Sequence, residues 1–366
     1  MKIASVVGAR PNFVKLAPVS RQLRKEFEEI IIHTGQHYDY EMDRIFFEEL
    51  CIPDPDYHLN IGSGSHGHQT GEMLKAIEDI LTKERPDLVL VFGDTNTTLA
   101  GALAAAKLHI KVAHIEAGLR SFNKIMPEEV NRVLTDHCSD LLLCPTKTAV
   151  ENLSHEGITK GVHLTGDVMV DILKECAKIA EQRSKVLSDL GLNCGHFILS
   201  TVHRAENTDN IDRLSGIVKA LCEVARDQDV VFPCHPRTQK QIRACSLWDE
   251  LSDSVQVIKP VGYLDMLVLE KSASKILTDS GGVQKEAYLL GIPCITMRDE
   301  TEWLETVDDG WNAIVGADKD EIVQKAHSFH PTKEQNGVFG DGKASEKILQ
   351  IFREMNIPKK AGTAPG

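Results

Sequence analysis

Three carboxylates in the first half of the chain, Asp94, Glu116 and Glu128, stand where predicted strands end or where a predicted helix begins. When carboxylates are held close together their pKa values move apart, so that one can donate a proton while another accepts one. Taken singly, Asp94 is explained as a helix cap, and Glu128 with its neighbour Glu129 as a favourable contact with a helix N-terminus. Three such groups at consecutive loop ends predict a shared acid–base site.

A second candidate site lies in residues 276–291, where an apolar strand, the turn Asp279–Gly282 and a helix follow one another. Glycines let the backbone approach a ligand, and the free N–H groups and dipole of a helix start attract an anion. Glu286 lies about one turn into the helix, within reach of a pair of sugar hydroxyls if a nucleotide diphosphate occupies the turn. An ordinary capped strand–helix turn explains this stretch equally well when it is considered alone.

Basic and small residues at other predicted loop ends add candidate ligands for a phosphate or a nucleotide base. Arginine, lysine and histidine at such positions are commonly surface groups, but the carboxyl ends of strands are where α/β proteins bind ligands. These candidates are Arg10 and Lys15 around the first helix start, His203 and Arg204 after a strand of the second half, His235 with Arg237 after the next strand, and Gly262 and Tyr263 in a loop whose backbone can hydrogen-bond a base edge.

The composition is that of a globular protein with room for two domains. The chain has 366 residues, of which 42% are hydrophobic and 26% are charged. A formal net charge of −13 argues against a nucleic-acid partner and against an anionic membrane surface. The nine cysteines include no Cys-x-x-Cys pair, which predicts reduced thiols, a cytoplasmic location and no metal site. No apolar run approaches the ~20 residues of a membrane span.

Strand-like and helix-like segments alternate along the chain with short loops between them, which predicts an α/β fold with doubly wound parallel sheets. The pattern restarts at Phe197. We therefore expect two Rossmann-like domains facing a cleft, with residues 1–168 carrying the carboxylates and residues 169–344 carrying the second site. A helical stretch at 171–189 joins them, and a C-terminal helix at about 345–357 packs back on the first domain. Residues 51–68 are expected to form one long loop.

Two common nucleotide-binding motifs are missing from the sequence. No Gly-x-Gly-x-x-Gly follows a predicted strand, and no glycine-rich loop carries a Walker lysine. Neither NAD bound in the usual manner nor ATP is indicated, and no cofactor is expected.

Six segments together resemble the non-hydrolysing UDP-N-acetylglucosamine 2-epimerases, and they occur in that family's order along nearly the whole chain. They are Gly8-Ala9-Arg10-Pro11, Gly93-Asp94-Thr95, Ile115-Glu116-Ala117-Gly118-Leu119-Arg120, Pro127-Glu128-Glu129-Val130-Asn131-Arg132, His203-Arg204-Ala205-Glu206-Asn207 and Asp279-Ser280-Gly281-Gly282-Val283-Gln284.

The resemblance implies a two-domain fold of the GT-B type, a homodimer, a UDP-sugar substrate and no cofactor or metal. It implies that UDP leaves the sugar as the proton at carbon 2 is removed, and that UDP returns as a proton is delivered to the opposite face. It assigns catalysis to Asp94, Glu116, Glu128 and His203. The expected ligands of the UDP-sugar are Arg10, Lys15, His203, Arg204, His235, Gly262, Tyr263, Ser280, Gly281, Gly282 and Glu286.

Two segments depart from the family pattern. Family members activated by their own substrate carry a Gln-His-Arg type of segment where this chain has Gln36–Tyr40, which leaves allosteric activation open although Arg204 and His235 match. The usual Thr-Glu-Arg-Pro-Glu reads Thr-Glu-Trp-Leu-Glu at Thr301–Glu305, as in the subgroup that acts on UDP-2,3-diacetamido-2,3-dideoxyglucuronate. We expect UDP-N-acetylglucosamine as the substrate, with that uronate as the alternative. A GT-B glycosyltransferase and a non-catalytic UDP-sugar sensor are the rival functions.

Overall fold

The computed structural model describes residues 1–35, 47–48 and 50–355, and it does not describe the side chain of Arg10. The segment Gln36–Tyr40 lies outside the described residues. The tail after Pro358, for which the sequence predicts disorder, also lies outside them.

The described chain folds into two compact units, each built on a parallel sheet. The first unit comprises Met1–Ile172 and the segment from Phe339 onward. Its seven strands run in the order β3-β2-β1-β4-β5-β6-β7. The strands are β1 (Lys2–Val7), β2 (Glu28–His33), β3 (Tyr57–His58), β4 (Leu88–Phe92), β5 (Lys111–Ile115), β6 (Leu141–Cys144) and β7 (Val162–Leu164). The helices are α1 (Arg10–Leu23), α2 (His66–Glu84), α3 (Asn96–Lys107), α4 (Pro127–Cys138), α5 (Lys147–His155) and the start of α6 (Val168–Arg183).

The second unit comprises Leu173–Val338. Its six strands run in the order β10-β9-β8-β11-β12-β13. The strands are β8 (Phe197–Thr201), β9 (Asp229–Pro233), β10 (Gln256–Ile258), β11 (Lys275–Thr278), β12 (Cys294–Thr296) and β13 (Asn312–Ile314). The helices after α6 are α7 (Val186–Leu190), α8 (Ala205–Thr208), α9 (Ile211–Val224), α10 (Pro236–Ala244), α11 (Trp248–Ser254), α12 (Tyr263–Ser272), α13 (Gly281–Leu290), α14 (Leu304–Asp308) and α15 (Lys319–Ser328). The last helix, α16 (Ala344–Glu354), belongs to the first unit.

Continuous apolar runs form the strands because helices cover both faces of each sheet. All five residues of β4 are fully buried. The Ala-rich helix α3 lies close against them, since a Cβ at Gly101 would stand 3.0 Å from Cγ1 of Val91. In the second unit, two separate groups of buried residues surround the sheet, one including Leu214 and Ile322 and the other including Leu269 and Ala287. The predicted class, two parallel-sheet α/β domains, is confirmed.

The strand order decides where loops can meet. In the first sheet β1 lies between β2 and β4, and in the second sheet β8 lies between β9 and β11. Successive connections leave in opposite directions at these points, so the loops after the two adjacent strands diverge and leave a crevice at the carboxyl edge of the sheet. The residues that follow β1, β4, β8 and β11 are therefore placed to bind ligands.

One detail of the predicted element pattern is wrong, and another is confirmed except for a two-residue interruption. Residues 51–68 contain β3, which pairs with β2 through Ile32 and Tyr57, so the stretch is not one long loop. The helical stretch 171–189 is divided into α6 and α7, with Ser184 and Lys185 between them. The Ser184 Oγ accepts the N–H of Val186 and thereby provides the break.

Helix α16 packs on α1, and its first turn is held by Asp171. That carboxylate accepts the N–H groups of Ala344 and Ser345 at 3.1 and 2.8 Å, and it also accepts the Ser345 hydroxyl. In the described part of the chain, no helix combines the length and the apolar character needed to cross a membrane.

Candidate active site

The first cluster of candidate residues lies at the exits of β4 and β5. The Lys15 Nζ, from α1, donates to Glu116 Oε2, and both residues are 8% exposed. Gly93 separates β4 from Asp94, and a Cβ there would stand 2.9 Å from Lys15 Nζ and 3.2 Å from Glu116 Oε2. A side chain at this position would displace the ion pair, and the φ of 65° at Gly93 also favours glycine. The backbone of Glu116 itself has a φ of 74°, a conformation that a non-glycine residue adopts at a cost and that is concentrated at functional sites.

The Asp94 carboxylate is held by Arg132, a residue for which the sequence alone predicts no role. The Arg132 Nη2 donates to Asp94 Oδ2 at 2.5 Å, and the Arg132 Nη1 donates to Glu129 Oε2 at 3.1 Å. Glu129 also accepts the N–H groups of Ser121 and Phe122, both at 2.9 Å. The series of contacts from Asp94 through Arg132 to Glu129 therefore fixes Asp94 relative to α4 and to the loop that precedes this helix.

Glu128, the third predicted carboxylate, begins the first turn of α4 and is half-buried. It is adjacent to Glu129, whose carboxylate is committed to Arg132 and to the loop backbone. Of the two neighbouring carboxylates, Glu129 is the structural one, and Glu128 remains the predicted catalytic one. Asn131 on the same helix donates to the backbone oxygen of Asp94 at 3.0 Å, so α4 holds the Asp94 loop through two side chains.

A buried network behind the first cluster fixes the loops that carry it. His114 lies between the Asp136 carboxylate and the Gly93 carbonyl, each at 2.7 Å. Asp136 also accepts from Gly118 N at 3.1 Å and from Arg120 Nη1 at 2.7 Å. Burial alone would raise the pKa of Asp136, but the hydrogen bonds and charges of His114 and Arg120 hold that pKa below its usual value. The ionised carboxylate thereby ties together the exits of β4 and β5.

A buried aspartate organises the second cluster, at the exits of β8 and β11. Asp279 is fully buried and accepts the N–H groups of His203 and Arg204 at 3.1 and 3.0 Å. It also accepts from Asn207 Nδ2 at 3.1 Å. These donors compensate for the lost hydration of the carboxylate and fix the loop that follows β8. The His203 side chain remains 45% exposed, with Nδ1 3.5 Å from Asp279 Oδ1.

The turn after Asp279 has the predicted form of an anion site. Ser280 is the N-cap of α13, and its Oγ accepts from Val283 N at 3.5 Å. Its own N–H is taken by Thr278 Oγ1 at 2.9 Å. Gly281 is buried and Gly282 is exposed. The first turn of α13 combines unsatisfied N–H groups with the positive end of the helix dipole, which suits a diphosphate.

A charged pair lies against this turn. A Cβ at Gly281 would stand 2.1 Å from Glu302 Oε1, so a larger residue there would require the Glu302 carboxylate to shift. Arg298 Nη1 donates to Glu302 Oε2 at 2.9 Å, and both side chains are buried. The ammonium of Lys285 lies 4.2 Å from the ring centroid of Trp303, a cation–π contact inside the unit.

Glu286 and Tyr263 meet inside the second unit. Glu286 lies on α13 and is 7% exposed, while Tyr263 is the first residue of α12 and has Gly262 as its N-cap. Burial raises the pKa of the Tyr263 hydroxyl well above its usual value, and interaction with Glu286 raises it further. The Tyr263 ring is therefore a wall of the Glu286 site. The predicted contact of the Gly262 and Tyr263 backbone with a base stays a prediction.

Two predicted ligands have local partners in the second unit. His235 is exposed at the N-cap of α10, where its Nδ1 accepts from Arg237 N at 3.2 Å. The Arg237 guanidinium donates to both oxygens of Asp209, at 2.9 and 2.7 Å. Arg204 is half-buried next to His203. Arg10 begins α1, after β1, and its side chain is not described. Roles for His235, Arg204 and Arg10 in UDP binding stay predictions.

The structure adds residues that the sequence reasoning did not assign. Arg132 ends the segment Pro127–Arg132 that resembles the family, and its spacing of three residues from Glu129 predicts the contact between the two side chains. Nothing local in the sequence indicates that Arg132 also reaches Asp94 or that Asp136 reaches His114, because these pairs are joined only by the fold. Within the described residues, no group of three or more His, Cys, Asp or Glu side chains is arranged to hold a metal ion.

Comparison with known proteins gives a consistent result. The sequence profile of the family described as UDP-N-acetylglucosamine 2-epimerase matches residues 21–353. A Methanococcus maripaludis protein described as a UDP-N-acetylglucosamine 2-epimerase homolog is 57% identical, over 97% of this chain and 100% of its own length. The UDP-2,3-diacetamido-2,3-dideoxy-D-glucuronate 2-epimerase of Pseudomonas aeruginosa is 50% identical, over 97% of this chain and 100% of its own length.

A solved structure extends the likeness to three dimensions. The crystal structure of Methanocaldococcus jannaschii UDP-GlcNAc 2-epimerase in complex with UDP-GlcNAc and UDP is 49% identical and has a TM-score of 0.91. The match covers 96% of this chain and 99% of that chain. The predicted fold of the GT-B type is confirmed. Because the family profile and these relatives each cover nearly the whole chain, the chain belongs to the UDP-N-acetylglucosamine 2-epimerase family.

Proposed function

We propose that the protein interconverts UDP-N-acetylglucosamine and UDP-N-acetylmannosamine by eliminating UDP and adding it back. The observation that carries the proposal is the cluster at the exits of β4 and β5, where Lys15 and Glu116 are paired beside Asp94. It occurs in a chain that is 49% identical to an epimerase crystallised with UDP-GlcNAc and UDP. A UDP-binding protein without catalysis has no need of a strained Glu116 held against a buried lysine.

The proposed elimination removes a proton from carbon 2 and breaks the bond between carbon 1 and the phosphate oxygen. The electron pair of the C–H bond forms the new C=C bond, and UDP leaves with the electron pair of the C–O bond. The product is 2-acetamidoglucal. In the return step UDP attacks carbon 1, and an acid delivers a proton to the other face of carbon 2. Removal and delivery on opposite faces require at least two proton-transfer groups, and the first unit offers Asp94, Glu116 and Glu128.

Stabilisation of departing UDP supplies the rest of the proposed catalysis. The leaving diphosphate gains negative charge as the C–O bond breaks, and fixed donors aimed at that charge lower the barrier. The first turn of α13, with Ser280 as its cap, offers such donors, and the exposed His203 ring adds another beside it. Glu286 is assigned the ribose hydroxyls, because a buried carboxylate one turn into the helix can accept from both of them.

The assignment of Glu286 predicts its effect on UDP binding. Glu286→Ala should weaken UDP binding by roughly 1–3 kcal/mol, because two hydrogen bonds to a charged acceptor are lost. Titration calorimetry with UDP measures the change, and circular dichroism confirms that the variant is folded. The exposed Glu250, changed to Ala, is the matched control and should bind like the wild type. Unchanged UDP affinity in folded Glu286→Ala would remove Glu286 from the site.

The carboxylates of the first unit predict a loss of turnover. Asp94→Asn, Glu116→Gln and Glu128→Gln should each lower kcat by about 100-fold or more, the usual scale for a positioned proton-transfer group. UDP affinity should change little, because none of the three is assigned to UDP. Glu151→Gln, an exposed carboxylate on α5, is the control for the substitution itself. Near-native turnover in all three variants would show that the acid–base site lies elsewhere.

Which UDP-sugar the protein prefers depends on whether a positively charged side chain is available to bind a carboxylate of the substrate. A uronate carboxylate loses its hydration on binding and needs a cation or several donors to replace it. Arg120 is bound by Asp136 and by Glu156, Arg237 is bound by Asp209, and Arg298 is paired with Glu302. Each already has a carboxylate partner. This favours the neutral hydroxymethyl group of UDP-N-acetylglucosamine, whereas the 50% identity to the uronate epimerase favours the alternative.

The two substrates predict a measurable difference in specificity. We expect kcat/KM to be higher for UDP-N-acetylglucosamine than for the diacetamido uronate, because no described arginine among the three candidates is left to meet a substrate carboxylate. Parallel progress curves for both UDP-sugars, followed by NMR, measure the ratio. A preference of ~100-fold for the uronate, about 2.7 kcal/mol of transition-state discrimination, would overturn the choice.

We further propose that the protein is a homodimer of the cytoplasm. Large apolar side chains are exposed along a short stretch of the first unit, Phe122 at 71%, Ile125 at 91%, Val130 at 42% and Leu134 at 47%. Val130 and Leu134 are one turn apart on α4, and exposed apolar groups in such density are typical of a surface that another subunit covers. All nine cysteines are free thiols, which supports a reducing compartment.

The dimer proposal predicts the effect of a charge on this stretch. Ile125→Asp should convert the dimer to a monomer, because an ionised carboxylate in an apolar interface loses its hydration without a partner. Light scattering after size-exclusion chromatography gives the mass. Ile211→Asp is the matched control, since Ile211 is also exposed, at 67%, but lies in the second unit. A wild-type monomer, or an unchanged mass for Ile125→Asp, would contradict the proposal.

A further inference from the structure

Glu270 is a buried carboxyl group that none of the reaction steps above uses. It lies on α12 with no exposed surface. Among the described residues, no N–H or O–H donor bonds either of its carboxyl oxygens. An ionised carboxylate in such a place would lose its hydration and gain nothing in return, a cost that proteins avoid by keeping the group protonated. Asp279 and Asp136 show the opposite arrangement, with several donors each.

The neighbouring Glu286 can accept a hydrogen bond from a protonated Glu270 carboxyl group. Helix α12 packs on α13, and the Glu286 carboxyl of α13 is the ionisable group that interacts most directly with Glu270. Two ionised carboxylates cannot hydrogen-bond, because each only accepts, whereas a pair that holds one proton can. Burial raises the pKa of Glu270 well above its usual value, and the neighbouring Glu286 raises it further.

Two of the ionisable groups that interact with this pair carry no positive charge. They are Tyr263 on α12, which interacts with both carboxyl groups, and Cys294 on β12, which interacts with Glu270. Burial raises the pKa of Cys294 to about 12, and it raises the pKa of Tyr263 well above the usual value, so both remain neutral at physiological pH. One proton shared between the two carboxyl groups limits the negative charge of the pair to a single unit.

We propose that Glu270 is a carboxylic acid that donates a hydrogen bond to Glu286 and thereby positions the Glu286 carboxylate for the ribose hydroxyls of UDP. Glu270 is a positioning residue, since it acts through Glu286 and not on the substrate. The inference rests on the proposed UDP site. The Tyr263 hydroxyl also interacts with Glu286 and stays neutral beside it, so the negative charge of the Glu286 carboxylate remains for the ligand.

The first test compares UDP affinity in two variants of Glu270. Glu270→Gln keeps a donor of similar shape, because the amide can donate to Glu286, and UDP affinity should stay within about twofold. Glu270→Leu removes the donor, and UDP affinity should fall by about tenfold or more. Calorimetry on the full chain measures both. Equal affinity in the Leu variant and the wild type would overturn the proposal, and so would an equal loss in both variants.

The second test follows stability against pH and does not depend on UDP. A carboxyl group with a raised pKa in the folded state is protonated in both states below the unfolded value of about 4.5, so its stabilising effect is complete there. As pH rises from that value towards the folded pKa, the unfolded chain loses its proton first and the folded protein is destabilised. Glu270→Gln cannot ionise and escapes this loss.

The melting temperature of Glu270→Gln relative to the wild type should therefore rise steadily as the pH increases above about 4.5. Glu250→Gln, the same change at an exposed position, should show no such trend. The opposite outcome is a difference in melting temperature between Glu270→Gln and the wild type that stays constant with pH or falls as pH rises. Either result would show that Glu270 is ionised in the folded protein. This measurement also decides the question if Glu270→Leu fails to fold.

The outcomes separate failure of this inference from failure of the proposed function. If the wild type does not bind UDP, or if Glu286→Ala binds it normally, the UDP site itself is wrong. If the wild type binds UDP and Glu286→Ala does not, but both Glu270 variants bind like the wild type, only the positioning role is wrong.

Discussion

Parallel pairing of the strands is the constraint on which both candidate sites depend. All strand pairs of the described residues are parallel, so the carboxyl ends of each sheet lie at one edge. Gly93, Glu116 and the start of α1 meet at that edge in the first unit, although they are far apart in the sequence. His203 and Ser280 meet in the same way in the second unit. An antiparallel arrangement of the same segments would send alternate loops to opposite edges.

Buried carboxylates hold these loops, and they do so in two different charge states. Asp136 and Asp279 each accept several N–H donors and serve as fixed anions that join neighbouring strand exits. Glu270 has no such donors and fits its pocket only as an acid. The difference lies in the number of donors within reach, not in the depth of burial, since Asp279 and Glu270 are equally inaccessible. The same side-chain chemistry therefore gives a rigid loop in one place and a neutral hydrogen-bond donor in another.

Short-range sequence patterns predict the strands and helices, but they do not predict which side chains from distant segments come into contact. The run Leu88–Phe92 predicts a strand because its five apolar residues end at Gly93, and that strand places Asp94 at a loop end. The sequence contains no local signal for the pairing of Arg132 with Asp94, for the network around His114, or for the contact between Glu270 and Glu286. These depend on which helix faces which strand exit. The sequence does not predict the edge strand β3, because two residues carry too little periodicity to distinguish a strand from a loop.

Solvent deuterium is the most direct probe of the central claim, that the protein removes and replaces the proton at carbon 2 of a UDP-sugar. The wild type is incubated with UDP-N-acetylglucosamine in deuterated water and followed by NMR. Proton removal predicts deuterium at carbon 2 of both UDP-N-acetylglucosamine and UDP-N-acetylmannosamine, formed without an acceptor or an added cofactor. Substrate that keeps its carbon 2 proton, or sugar that is transferred only when an acceptor is supplied, would contradict the account.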